Sequence, residues 1–181
     1  MLTQRHWREL IQAVASKDAA AFHLPIEEWN LKHYWLMKSE PSEVSIDDLV
    51  KQKSTGWFGV RNYQARNYMR DQMQIGDGVL FYHSSCDEPG IAGLAEVSSA
   101  PYPDPTQFDK KSHYFDPKAT KETPRWMQVD VKIVKKTRLI NLPELRATEQ
   151  LAEMLILKKG NRLSITPVTE AEWRTIQKML G

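Results

Sequence analysis

The sequence predicts an α+β domain built on a strongly curved mixed sheet. Short strands are interleaved with short helices and turns, and the regular strand-helix-strand spacing of a doubly wound fold is missing. The length of 181 residues sets the scale: it gives one domain plus an appendage, with enough chain for a core that needs no disulfide or metal staple.

Residues 1 to 31 read as the appendage. Trp7, Leu10, Ile11 and Val14 recur at helical spacing, which predicts an amphipathic helix over Thr3 to Ala15, followed by an Ala-rich stretch and Pro25. The main domain is expected over residues 32 to 181. It opens with Tyr34 to Lys38 (YWLMK), an aromatic and aliphatic run suited to a buried strand with Trp35 in the core. Ser39-Glu40-Pro41 ends it, because proline lacks a ladder donor and restricts its predecessor. Ser45 and Asp48 form a capping box with Asp in place of Glu, and Ile46, Leu49 and Val50 give the short helix an apolar side. Gly56-Trp57-Phe58-Gly59 is a loop, after which Asn62 caps a helix over Tyr63 to Asp71.

Gly76-Asp77-Gly78 turns the chain into a strand from Val79 to His83. Pro89-Gly90 is the next turn, and Ile91 to Val97 is the antiparallel partner, with Gly93 permitting a bulge or a close approach. Ala100 to Arg125 is rich in proline and lacks periodicity, so it reads as a long covering loop. Met127, Val129, Val131 and Ile133 then alternate with polar residues as a half-buried strand does. A short helix is expected around Pro143 to Arg146 and a second over Thr148 to Leu157, closed by Gly160. A strand from Leu163 to Val168 leads to Thr169, which with Glu172 boxes the start of a last helix carrying Trp173, Ile176 and Leu180 on one side.

Composition excludes several classes. Cys86 is the only cysteine, which rules out an intramolecular disulfide and fits a reducing, cytoplasmic address. No apolar run is long enough to span a bilayer, and the first thirty residues lack a signal peptide's pattern, so a soluble protein is expected. The five histidines are scattered, Walker, HExxH and GxSxG motifs are missing, and Gly76-Asp77-Gly78 lacks the third glycine of a dinucleotide fingerprint; neither metal nor cofactor is expected. His83 beside Ser84, Ser85 and Cys86 does not make a nucleophile and base, because adjacent strand residues face opposite ways. A net charge of +2 is too small to name a partner, yet cations gather in Arg61 to Arg70 (RNYQARNYMR) and Lys132 to Arg138 (KIVKKTR).

Aromatic and polar residues are dense in WFGVRNYQARNYMR, with YWLMKSEP upstream and LFYHSS downstream. These three blocks, in this order and spacing, resemble the EVE domain, a member of the PUA-like superfamily related to the YTH readers of methylated adenine. The resemblance covers about Lys32 to Leu180 and does not extend to residues 1 to 31. It implies a PUA-like β-barrel of five to six strands flanked by short helices, and a pocket that takes one base, a modified one, from DNA or RNA. The partner is then nucleic acid, bound by a monomer without catalysis.

The residue types agree. A base drawn from its stack needs an aromatic surface in compensation, and Trp57 is the first choice because it stands in a Gly-flanked loop and matches a cage tryptophan of the YTH relatives. Ser39, Glu40 and Asn62 are placed to pair with a base edge; a carboxylate only accepts, so Glu40 suits an exocyclic amine. Tyr82 and Ser84 share one side of their strand and are expected at the pocket, His83 on the other. Phe58 follows Trp57 where the YTH relatives carry a small polar residue, so their methyladenine preference does not transfer. Lys38, Arg61, Arg66 and Arg70 are the expected phosphate contacts. Two alternatives remain open: an ASCH-like amidohydrolase using Lys38 and Glu40, and a protein-binding adaptor marked by an exposed apolar patch.

Overall fold

The computed structural model describes residues 32–181. The helix expected over Thr3 to Ala15, with the rest of residues 1–31, lies outside the described residues.

The chain begins with β1 (Tyr34–Ser39), turns into α1 (Ile46–Gln52) and continues through β2 (Ser54–Gly56) to α2 (Tyr63–Asp71). The hairpin of β3 (Gly78–His83) and β4 (Gly90–Val97) follows. A long connection holding β5 (Tyr102–Pro103) and a 3₁₀ turn at Pro105–Gln107 leads to β6 (Met127–Gln128) and β7 (Asp130–Asn141). The C-terminal part comprises α3 (Leu142–Ala147), two 3₁₀ turns, β8 (Ile165–Val168) and α4 (Glu170–Leu180).

Six strands form one sheet in the order β2-β7-β4-β3-β1-β8, while β5 and β6 pair separately. Only β1 with β3 is parallel in it; the other four pairings are antiparallel. The β3–β4 register shifts between Phe81 and Tyr82, and the β4–β7 register shifts twice more. Each bulge bends its strand, and the sheet curls into a half-barrel whose edges are β2 and β8. Gly93 lies at a bulge because nothing larger fits: a Cβ there would stand 2.5 Å from Ile46 Cδ1 and 3.0 Å from the Lys135 carbonyl oxygen. α1 thereby packs directly on the sheet.

Strand alternation divides the interior into two cores. Trp35, Met37, Val79 and Phe81 point to one face, where they meet Ile46 and Leu49 of α1 and Ala65 and Met69 of α2. Leu36, Leu80 and Tyr82 point to the other, against Leu145 of α3 and Trp173 and Ile176 of α4. A fully buried side chain such as Phe81 contributes about 1.5–3 kcal/mol. The capping chemistry expected from sequence forms at both boxes, Ser45 with Asp48 and Thr169 with Glu172, and Asn62 Oδ1 accepts from the N–H groups of Gln64 and Ala65.

Three elements depart from the sequence expectation. The strand expected to end near Ile133 extends to Asn141, because pairing with β4 carries it past the point where apolar alternation stops. Its cations are largely neutralised locally, Lys132 by Glu96, Lys136 by Asp47 and Arg138 by Glu144. The helix expected over 148–157 is instead two 3₁₀ turns, Glu149–Leu151 and Leu155–Leu157, separated by Met154 in an extended ψ of 130°. The connection over 100–125 is organised rather than loose. Gln107, fully buried, donates to the carbonyls of Asp104 and Trp126 and accepts from the N–H groups of Arg125 and Trp126.

Candidate functional site

A cavity of about 480 Å³ opens where the end of β1, the segment joining β2 to α2, the turn after β3 and the 100–125 connection meet. Its volume lies in the range of roughly 300–1,000 Å³ typical of small-ligand sites. Lys38, Ser39 and Glu40 come to it from β1 and the turn beyond, with Glu43 and Val44 behind them. That turn is braced locally: Ser39 Oγ donates to the Val44 carbonyl at 2.7 Å, and the N–H groups of Glu43 and Val44 both donate to the Glu40 carbonyl.

Residues 55–62 make the facing wall. The Trp57 N–H donates to the Val129 carbonyl at 2.8 Å, which fixes the backbone, and the indole packs edge-on against Phe81 with ring centroids 5.4 Å apart. Trp57 is only 6% exposed, so most of its ring belongs to the core while the remainder lines the cavity. Its indole N–H donates to no described residue. Gly59 has φ +77°, and a Cβ there would lie 2.7 Å from the Tyr114 ring, so glycine is required both by conformation and by space.

Tyr114 belongs to the 100–125 connection and is held in place by Arg61. The Arg61 guanidinium donates to the Tyr114 carbonyl through Nε and Nη2, to Asp104 Oδ2 through Nη1 at 2.8 Å, to Thr106 Oγ1 and to the Val60 carbonyl. All five of its donors are thereby used. Burial alone would raise the Asp104 carboxyl's pKa, but hydrogen bonds from Thr106, Arg61 and Gly59 outweigh it and hold the group below its usual range. The Tyr114 phenol is pushed the other way, up, by burial and by the carboxylates of Glu43 and Glu40. Burial lowers the Lys38 ammonium's pKa, and among the described residues no carboxylate pairs with it.

A family model for the EVE domain matches residues 33–179. The chain belongs to the EVE domain family. It is 42% identical over 163 residues to thymocyte nuclear protein 1 of Homo sapiens, covering 80% of this chain and 72% of that protein. Among solved structures, it is similar to a hypothetical protein from Leishmania major, 53% identical with a TM-score of 0.79, covering 82% of this chain and 94% of that one. It is similar as well to the human THYN1 protein in complex with 5-methylcytosine containing DNA, 41% identical with a TM-score of 0.76, covering 82% of this chain and 97% of that one.

In this EVE domain the cavity brings together Lys38, Ser39, Glu40, Trp57, Arg61, Asn62 and Ser84 of the residues singled out from sequence. Tyr82 is a correction. It lies on the opposite sheet face in the second core, and its expected companion Ser84 reaches the cavity only because the chain leaves the strand after His83, where the Ser84 N–H donates to the Ser39 carbonyl. Arg61 is a second correction: it lines the cavity, but with every donor committed it is a clamp rather than an open phosphate contact. Arg70 forms two bonds to Asp71, and Arg66 lies on α2; neither lines the cavity. Sequence reasoning missed Tyr114, Arg162 and Ser164. Proline-rich loop chemistry hid the first, and the other two arrive because the Lys38 N–H bonds to the Ser164 carbonyl beside β1. Among the described residues no helix is long and apolar enough to cross a membrane.

Proposed function

We propose that this EVE domain reads a modified base of DNA, drawing a single nucleotide into the cavity against Trp57 and leaving it chemically unchanged. The observation that carries this reading is the relative of TM-score 0.76 that was solved with 5-methylcytosine containing DNA. The cavity chemistry agrees with it. Trp57 and Tyr114 offer aromatic surface to a base that has lost its stacking partners, for which each aromatic contact returns about 1–3 kcal/mol. Glu40 and Glu43 supply acceptors for an exocyclic amine such as that of cytosine, and the hydroxyls of Ser39 and Ser84 and the amide of Asn62 complete the polar edge. Lys38 and Arg162, neither of them paired with a described carboxylate, take the flanking phosphates, and Arg66 extends that contact along α2. A reader of this kind acts as a monomer and needs no cofactor, and the lone Cys86 suits a cytoplasmic setting.

The test is fluorescence anisotropy with matched oligonucleotides carrying cytosine, 5-methylcytosine or other modified bases, in DNA and in RNA, with nucleoside analysis of the products. A preference of at least several-fold for a modified DNA base, with all bases recovered intact, is the expected result. Equal affinity for every base across the set overturns the reading.

A second reading rests on one observation: Lys38 and Glu40 line the same cavity, and burial favours the neutral, nucleophilic or basic form of Lys38. An ASCH-like amidohydrolase would use that pair. Release of an acyl group from an acylated nucleoside, lost in Lys38→Ala, would establish it over the non-catalytic reading. An adaptor would present one broad apolar patch; among the described residues the exposed large apolar side chains are Val50, Tyr63, Ile75, Val134 and Leu155, on five different segments of the chain.

A further inference from the structure

Tyr63 is the first residue of α2 and follows Asn62, which lines the cavity. It is 49% exposed, unusual for a large aromatic side chain, yet its ring is rigidly held. It stacks on Trp126 with centroids 5.0 Å apart and planes 23° from parallel. Trp126 is itself buried and pinned through its indole N–H to Asp116 Oδ2 at 2.7 Å. The Arg66 guanidinium lies 4.8 Å from the Tyr63 centroid. Its hydrogen bonds go only to neutral acceptors, Asn67 Oδ1 and the Arg125 carbonyl, and among the described residues no carboxylate pairs with it. Burial and then the Arg70 cation depress its pKa, and Tyr63 and the Asp71 carboxylate only partly oppose them. The Arg125 guanidinium lies 5.8 Å from the same centroid and donates to the Tyr63 hydroxyl. An exposed aromatic ring flanked by two guanidinium groups, one residue from the base cavity, has the chemistry of a shelf for a nucleotide: ring and guanidinium planes for the base and an anion site for its phosphate.

We infer that Tyr63 and Arg66 form a second contact, which receives the nucleotide adjoining the one whose base enters the cavity. This rests on the base-reading function proposed above. Tyr63 packs against the flanking base whatever its identity, since every base has a π face, and Arg66 meets the phosphate next to it. Specificity therefore stays with the cavity, while the shelf adds affinity and fixes which strand direction enters.

The experiment pairs a change in the protein with a change in the DNA. Two oligonucleotides carry the same modified base, one with ordinary neighbours and one with abasic sites on both sides. Wild-type protein is expected to lose about five- to a hundredfold in affinity when the neighbours are removed. Tyr63→Leu, which keeps apolar packing on Trp126 but lacks a π face, is expected to bind both oligonucleotides alike. Equal sensitivity of wild type and Tyr63→Leu to the abasic flanks overturns the inference, as does indifference of the wild type to them. Arg66→Gln, on the helix surface, carries the test if Tyr63→Leu does not fold: it should reduce the slope of log affinity against log salt by about one and leave the preference for the modified base unchanged. An unchanged slope removes Arg66 as a phosphate contact and overturns the inference, while the reading of the base in the cavity stands. Failure of wild-type protein to bind any modified oligonucleotide overturns the base-reading function and the inference with it.

Discussion

Arg61 and Asp104, 43 residues apart in the chain, form an ion pair with Nη1 2.8 Å from Oδ2, and the carboxylate side of it is almost wholly buried. This pair joins the Trp57 segment to the 100–125 connection, and through the Tyr114 carbonyl it sets one wall of the cavity. Asp104→Ala leaves the Arg61 guanidinium without its charge partner and the Gly59 N–H without an acceptor. The expected loss is about 3–5 kcal/mol, read from the urea unfolding midpoint. An unchanged midpoint would mean that Gln107, the β5–β6 pairing and the Asp116–Trp126 bond anchor the connection without the ion pair.

Gly59→Ala tests the same wall from the other side. Its φ of +77° and the Tyr114 ring 2.7 Å from a Cβ position both oppose any side chain. A destabilisation of about 1–3 kcal/mol is expected, together with weaker binding as Tyr114 is displaced. Thermal unfolding and anisotropy measure the two effects, and a variant as stable as wild type would show that the loop relaxes freely.

Trp57 has to be probed with its burial in mind. Trp57→Ala removes a core side chain and is expected to cost about 3–5 kcal/mol of stability. Trp57→Phe keeps apolar volume while reducing the aromatic surface and removing the indole N–H. That variant should stay folded by circular dichroism and lose part of the preference for a modified base. Full retention of the preference would assign Trp57 to the core and leave Tyr114 as the stacking surface.

His83 makes stability depend on pH. Its Nε2 accepts the N–H of Ile46 at 3.0 Å, at the start of α1, and burial lowers its pKa. Only neutral imidazole can accept that bond. The unfolded chain takes up the proton near pH 6.5 while the folded protein resists, so the contribution is complete above about 6.5 and is lost as pH falls from there toward the lower folded value. Melting temperatures across that window should fall for wild type and stay flatter for His83→Gln. Parallel curves would remove His83 as the cause.

The elements legible in the sequence were those fixed by chemistry within a few residues. The Ser45–Asp48 and Thr169–Glu172 boxes, the Asn62 cap and the hairpin around Pro89-Gly90 each depend on neighbours that any reader of the sequence can see. Trp35, too, stands in the core as its strand pattern implies. What stayed hidden depends on distant partners. Nothing near Arg61 announces that Asp104, Thr106 and Tyr114 will consume its donors, and strand alternation placed Tyr82 with Ser84 because it carries no warning of where a strand ends. The polar run KKTR concealed the second half of β7, since that segment is held by backbone pairing to β4 rather than by an apolar face.

The pairing of β1 has a temporal consequence. Tyr34 stands in register with Gly78 on one side and Val168 on the other, and the Lys38 N–H waits for the Ser164 carbonyl. A chain emerging from the ribosome therefore exposes β1 long before its second neighbour exists, and the cavity lacks Arg162 and Ser164 until more than 120 further residues have been made. Contacts so distant in sequence slow the search for the native state, since loop closure must precede any gain from them. Recognition thus waits on β8: a polypeptide stalled short of it cannot hold Arg162 and Ser164 beside β1, and its unfinished sheet edge is open to association with other nascent chains.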